Sequence, residues 1–365
     1  MRLLHTLQEI EEAWVEYDDF QASPYQSFAW YREWLESVAH RRGAAPLAII
    51  WDDERGQPLM LLPLVCVRRY GLRIATFAGD SHSNLNMPLL GKRIITPTVI
   101  FDRSILKSAG IDAIILKAML HQFRNELNPL LHNGAWRHTA DRFVLSLTKS
   151  NLAGRYWNRH EKRKKNARYI NHHVSTGDAL NGRELLRTFF EQRQVWSAIR
   201  NIPDVFDDPS IMNFFEQLYS NSLSGMRLHY LTANQKVVAV AGTLRRSDTE
   251  ALMFVSYERE SKVAKLSPGL FLIGEAIQCA QRDGMILFDF GLGAAEYKER
   301  LGAQQIEIYS TAHGISVLGK MFCQTIRMIE HLKRRAKRHP NLIRVIHHGL
   351  TFVRRLERGG IGRQA

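Results

Sequence analysis

Two short segments place chemistry-bearing residues where an element has to begin or end. The first is Lys262-Val263-Ala264-Lys265-Leu266-Ser267-Pro268-Gly269, between a strand-like run and a helix-like one. Serine suits a helix N-cap, proline suits the first helical position, where a missing N–H costs nothing, and glycine lets a ligand approach the backbone. Free amides and the positive helix end would then face an anion such as a phosphate, with Lys262 and Lys265 adding charge. The plainer alternative is a well-capped helix after a loop. The second segment is Phe288-Asp289-Phe290-Gly291-Leu292-Gly293, leading into Glu296-Tyr297-Lys298. Here a buried strand ends at glycines and polar groups. Glu296 stands where a dinucleotide fingerprint needs its third glycine, and no acidic residue follows a second strand, so a nicotinamide site is rejected. Asp289 alternates with apolar neighbours, so a carboxylate satisfied by turn amides is the plainer account of it. Tyr297 and Lys298 also fit an ordinary helix surface.

The elements that must position these residues follow from periodicity. Leu185, Leu186, Phe189 and Phe190, then Ile211, Phe214, Phe215, Leu218 and Tyr219, recur at helical spacing. Three strand-like runs follow, Arg227–Thr232, Val237–Leu244 and Ala251–Tyr257, separated by polar turns. A helix from Pro268 to about Gln281, a strand Ile286–Phe290, a short helix Ala294–Arg300 and a strand Ile306–Thr311 complete the order ααβββαβαβ. The first half reads as helices near Gln8–Tyr17 and Trp30–Val38, strands Leu47–Trp51, Leu59–Arg68 and Arg73–Ala78, a helical region Ser104–Leu127, and a late strand Phe143–Leu147. Both halves thus run from helices into a β-meander, and a duplicated fold is expected. Residues 1–150, 151–315 and 316–365 are the expected divisions, the last a basic tail of two amphipathic helices broken at Pro340-Asn341.

Composition narrows the class. The chain has 365 residues, 45% hydrophobic and 24% charged, ordinary globular usage for two domains. Its start turns acidic straight after the first apolar residues, unlike a secretory signal. The longest apolar run, Leu59–Val67, is about half of the roughly 20 residues a spanning helix needs. Cys66, Cys279 and Cys323 are far apart in apolar segments, which fits a reducing cytoplasm and no cysteine-based zinc site. The histidines lack HExxH or CxxC partners, and no metal is expected. The net charge of +14 is concentrated in Arg155–Arg168 and in the tail from Lys320 onward.

Taken together, Trp157 with the basic run to Arg168, Val195-Trp196, Asn234–Ala241, Ser267-Pro268-Gly269, Phe288-Asp289-Phe290-Gly291 and Tyr297-Lys298 resemble, in order and approximate spacing, the C-terminal GNAT domain of the CelD-like acetyltransferases. That family is similar in turn to the Fem peptidyltransferases. The resemblance covers about Trp157–Thr311 and, more weakly, Phe28–Leu90, where Ser81-His82-Ser83 departs from the family's usual Asp-Tyr. It implies an α+β fold of tandem GNAT-like domains, with acyl-CoA as co-substrate in the C-terminal copy and the acceptor between copies. The donor site would comprise Val255, Ser256 and Tyr257 together with Lys262, Lys265, Leu266, Ser267, Pro268 and Gly269. Direct transfer needs a base for the attacking amine or hydroxyl, a donor for the oxyanion and a proton for the leaving thiolate. Asp80, His82 and Asp289 are the candidates for proton handling, Tyr297 for the thiolate and Lys298 for the oxyanion or an acceptor phosphate.

Three functions stay open at this stage. The first is acyl-CoA-dependent N- or O-acylation of a cell-envelope saccharide or its precursor. The second is a Fem-like transferase drawing on charged tRNA, and the third is a non-catalytic scaffold that binds polyanions or membranes. A nucleic-acid partner is disfavoured, because the basic run Trp157–Arg168 fits CoA or acceptor phosphates as well. The tail's apolar stripes, Leu318 to Leu332 and Leu342 to Val353, flanked by Arg and Lys, fit either packing on the domain or a peripheral contact with the anionic inner face of the membrane.

Overall fold

The computed structural model describes the chain except residues 18–22, 92–100, 124–125, 132–133, 149–157, 160, 163, 165–168, 178, 201–203, 260–261 and 338–365. Most of the basic run ending at Arg168, including Trp157, and the tail's second stripe lie outside the described residues. The helices are α1 (Leu7–Tyr17), α2 (Phe28–Trp34), α3 (Arg103–Ser108), α4 (Ala179–Arg200), α5 (Pro209–Ser220), α6 (Pro268–Arg282), α7 (Glu296–Arg300) and α8 (Val317–Lys337). The strands of the first half are β1 (Arg2–Leu4), β2 (Ala45–Asp52), β3 (Pro58–Arg69), β4 (Leu72–Phe77), β5 (Leu89–Leu90), β6 (Ala113–Leu120), β7 (Gln122–Phe123), β8 (Glu126–Leu127), β9 (Trp136–Arg137) and β10 (Arg142–Ser146). Those of the second are β11 (Ile170–Ser175), β12 (Met226–Ala233), β13 (Lys236–Arg246), β14 (Thr249–Tyr257), β15 (Leu287–Leu292), β16 (Gln304–Ile306) and β17 (Ile308–Gly314).

Two mixed sheets result, in the orders β1-β2-β3-β4-β6-β17-β9 and β11-β12-β13-β14-β15-β10-β16. The architecture is the expected tandem α+β one, with a feature local periodicity does not carry. Each sheet takes a strand from the other half. β17 pairs antiparallel with β6 from Ile308↔Leu120 to Gly314↔Ala113, while β10 lies between β15 and β16. The aromatic core is also shared, since Trp30 and Trp34 meet the Phe214 ring edge-on at 4.9 and 5.2 Å. Each such pair contributes about 0.5–1.5 kcal/mol beyond area burial.

The helix expected over Ser104–Leu127 is mostly strand. α3 ends at Ser108, Gly110 takes φ +69°, and Ala113–Leu120 is buried at every position but one. A short, continuously apolar run carries no period to separate strand from helix, and its place between β4 and β17 makes it a strand.

α8 is seated through Gly319, where an added Cβ would lie 1.8 Å from the Asp112 carbonyl oxygen. Backbone on both sides leaves little room to relax. A Gly319→Ala substitution is therefore expected to cost up to about 3 kcal/mol by overpacking, more than the about 1 kcal/mol that alanine gains over glycine in a helix. Denaturant unfolding checks this: a variant as stable as the parent would mean that the helix is not held there.

Candidate functional site

The parallel ladder between β14 and β15 has three pairs, Thr249↔Leu287, Glu250↔Phe288 and Ala251↔Asp289. β14 continues to Tyr257 and β15 to Leu292, so the strands part beyond Asp289 and a wedge opens between them. On its far edge β15 keeps β10, and β14 keeps β13 as far as Ala239↔Tyr257. Each strand therefore offers the wedge one edge whose N–H and C=O groups the other strand does not take. Such edges suit an extended, amide-bearing ligand.

The N-terminus of α6 stands at the end of β14. An added Cβ on Gly269 would lie 2.9 Å from Tyr257 Cδ1, so the helix start packs directly on the strand end. Ser267 occupies the N-cap position but does not cap with its side chain, contrary to the sequence reading. Its backbone is left-handed (φ 55°, ψ 59°) rather than extended, the conformation from which a serine hydroxyl reaches the first-turn amides. Its carbonyl instead accepts from the Leu270 and Phe271 amides, both at 3.0 Å. Lys262–Leu266 form a 3-10 turn before it, with Lys265 exposed.

Ser256 Oγ donates to Gln192 Oε1 at 2.7 Å and ties β14 to α4. One turn further along α4, Trp196 is half-buried beneath guanidinium groups, with Arg193 at 4.2 Å, Arg200 at 5.1 Å and Arg259 at 6.0 Å from its ring. Arg259 also lies over Tyr257 at 5.4 Å. Arg193 is neutralised by two 2.8 Å bonds to Asp204. This aromatic and cationic surface adjoins the α6 N-terminus, and only Val195-Trp196 and Tyr257 of it had been singled out from sequence. Arg259 lies just beyond β14, and Arg193 and Arg200 flank Trp196 one helical turn away, a spacing that was legible.

At the apex of the wedge, Asp289 is fully buried. Its carboxylate accepts from Arg142 Nε at 2.9 Å and from the Gly291 amide at 2.8 Å. Lys298, 4% exposed, points Nζ at the carbonyls of Phe290 (3.0 Å), Gly291 (3.4 Å), Leu292 (3.2 Å) and Gly293 (2.9 Å). Three ammonium protons thus face four acceptors of one turn. Burial pushes the Lys298 pKa down to about 8, with Asp289 pulling the other way. Tyr297 packs on Phe290, and burial raises its phenol to about 12, so it holds its proton at neutral pH.

The first half reaches this turn through a residue not singled out from sequence. A Cβ on Gly291 would lie 2.7 Å from Asn84 Nδ2, which donates to Tyr25 Oη at 3.0 Å. Behind Asn84, Gln26 donates to the Leu85 carbonyl, and Asn86 donates to the Lys117 carbonyl and accepts from Ser83 Oγ at 2.7 Å. Asp80 and His82, four and two residues before Asn84, go elsewhere. Asp80 is exposed between Arg42 (3.8 Å) and Arg69 (3.9 Å). His82 is boxed by the rings of Trp34, Phe206 and Phe215, and this burial pulls it down to about 4, so it is neutral at physiological pH. The structure brings Asp289, Tyr297 and Lys298 together at the apex and sets Asp80 on the surface. Among the described residues no group of His, Cys, Asp and Glu could hold a metal ion.

Residues 154–299 match the acetyltransferase (GNAT) domain model, and the match takes in β11 to most of α7. The chain carries a GNAT acetyltransferase-like domain. Among solved structures, FemX aligns over 85% of this chain and 97% of its own, at 13% identity and a TM-score of 0.54. The C-terminal domain of a protein assigned as a lysylphosphatidylglycerol synthetase from Agrobacterium fabrum aligns over 90% and 96%, at 11% identity and a TM-score of 0.53. L-PGS from Bacillus licheniformis aligns over 88% and 96%, at 13% identity and a TM-score of 0.50. At these identities the likeness is one of fold. No curated protein sequence matches the chain.

Proposed function

We propose that this GNAT domain binds an acyl-CoA in the wedge between β14 and β15 and transfers the acyl group directly to an amine or hydroxyl of a cell-envelope saccharide or its precursor. The parting of the two strands beyond Ala251↔Asp289, with the α6 N-terminus at the mouth, is the observation that carries the reading. The pantetheine amides would pair with the free strand edges, and the pyrophosphate would meet the α6 amides beside Gly269. Val255, Ser256 and Tyr257 line the donor side, with Lys262, Lys265 and Leu266 in the turn ahead of the helix. The resemblance to the CelD-like family supports both the donor and the acceptor class.

In this reading Tyr297, which keeps its proton at neutral pH, donates to the departing thiolate. The attacking group gives up its proton to solvent as it bonds to the thioester carbon, the C–S bond breaks, and solvent returns a proton to Tyr297. Asp289 and Lys298 act on substrate through the turn they hold, as positioning residues. The acceptor enters where the Asn84 loop meets that turn, between the halves.

The Trp196 surface favours a second reading. A stacking platform with two guanidinium groups suits nucleobases and phosphates in general, so a Fem-like transfer from charged tRNA would use the same mouth. Parallel titrations with acetyl-CoA and with a charged tRNA separate the two. Saturable binding of acetyl-CoA supports the first, and binding of the tRNA alone overturns it in favour of the second.

A further inference from the structure

We infer that α8, together with the hairpin tip at Tyr70, is a docking surface for an anionic lipid bilayer. One face of the helix is buried on the first sheet through Gly319, Cys323 and Glu330, and Arg327 fixes its rotation by donating to the Ala312 carbonyl at 2.8 Å. Helical geometry puts Val317, Leu318, Met321, Met328 and Leu332 on the opposite side. Each of these is between 51% and 74% exposed. The helix is thus apolar twice, once toward the protein and once toward the outside, and the second stripe stays exposed among the described residues.

The surroundings of the stripe specify its partner. Lys320 and Arg335 are exposed along one flank, and Lys333 lies on the other. The sole acid of the helix, Glu330, is buried and paired with Lys333. Tyr70 extends the same surface, with its ring 6.0 Å from Phe322 and the side chain 70% exposed between Arg68, Arg69 and Gly71. It is held at φ 52°, a left-handed conformation unfavourable for a bulky aromatic residue, so the fold places this ring outward against a backbone cost. An apolar arc edged by cations, with an aromatic ring at its margin, has the composition of an interfacial helix.

Two other occupants meet like charge. A second copy would bring the same cations face to face. The chain beyond Lys337 holds six arginines and one glutamate, so folding it back onto α8 would do the same. An anionic surface alone complements both the arc and its rim.

The test is co-sedimentation of the full chain with phosphatidylcholine vesicles, with and without one phosphatidylglycerol in three lipids, for the parent and for a Met321→Glu/Met328→Glu variant. Both positions are exposed, so the variant should unfold at the parent's temperature. Expected are sedimentation with the phosphatidylglycerol vesicles only, release in high salt, and loss of about tenfold or more of the partitioning in the variant, because two carboxylates then enter the arc. Equal sedimentation with both vesicle types, or a variant that binds as the parent does, overturns the proposal. So does a parent that ignores vesicles and self-associates until the two glutamates are introduced, which would make the stripe an interface between copies.

Discussion

Replacing Arg142 with methionine is expected to destabilise the protein by about 3–5 kcal/mol, because it leaves the Asp289 carboxylate buried without its cation. Both partners are removed from water, 5% and 0% exposed, so solvent cannot take over the lost bond. Of its two hydrogen-bond donors only the Gly291 amide would remain, with the Lys298 ammonium acting on the charge from further off. Adding Asp289→Asn should recover most of the loss, since asparagine keeps an acceptor for that amide and carries no charge. Chemical denaturation of the two single variants and the double variant forms the cycle that checks this. Equal destabilisation of Arg142→Met and the double variant would mean that arginine packing matters and the ion pair does not. The stakes reach the site, since the pair joins β10 of the first half to the strand whose end forms the wedge.

Lys298→Met sets two effects against each other. Removing the ammonium relieves a burial cost of about 3 kcal/mol, the equivalent of a pKa lowered from 10.5 to about 8. It also leaves four carbonyls facing a thioether, at about 1–3 kcal/mol for each one deprived of a partner. The second effect outweighs the first, and a net loss of at least about 1 kcal/mol is expected at pH 7. The sign with pH follows from the lowered pKa. Between about pH 8 and 10.5 the unfolded chain holds the lysine proton after the folded chain has released it, so the parent gains stability as pH rises through that window. The variant lacks this gain, and the stability gap between the two should widen from pH 8 to pH 10. A constant gap would show that the ammonium stays protonated in its carbonyl cage throughout.

The helices α4 and α5 and the strand β12 were legible in the sequence because each buries one face and so shows its period, while α6, β13 and β14, buried over most of their length, were legible from the turn residues that bound them. β6 was not, because it is buried on both faces. The exchange of β10 and β17 was hidden for a different reason: it pairs residues far apart in the chain, and no local pattern records the partner. The same division holds at the site. Asp289, Tyr297 and Lys298 stand at the end of a visible strand, and the plainer account of Asp289 as a carboxylate held by turn amides proved right in part, with Arg142 added. Arg142 gave a faint signal, a cation opening the apolar strand Phe143–Leu147. Tyr25 and Asn84 gave less, because their importance lies in where the halves meet. The titratable types of Asp80 and His82 drew attention to the correct loop, yet Asn84 is the residue that reaches the turn.

Calorimetric titration of acetyl-CoA and longer acyl-CoAs into the parent and into Gly269→Trp tests the donor site most directly. An added Cβ on Gly269 would lie 2.9 Å from Tyr257 Cδ1, so an indole there cannot fit without displacing that ring at the start of α6. Binding in the range of about 1 μM to 1 mM by the parent, the usual span for enzyme substrates, and its loss in a variant that still unfolds cooperatively is the expected result. A folded parent that takes up none of the acyl-CoAs would contradict the assignment of the wedge as an acyl-CoA site.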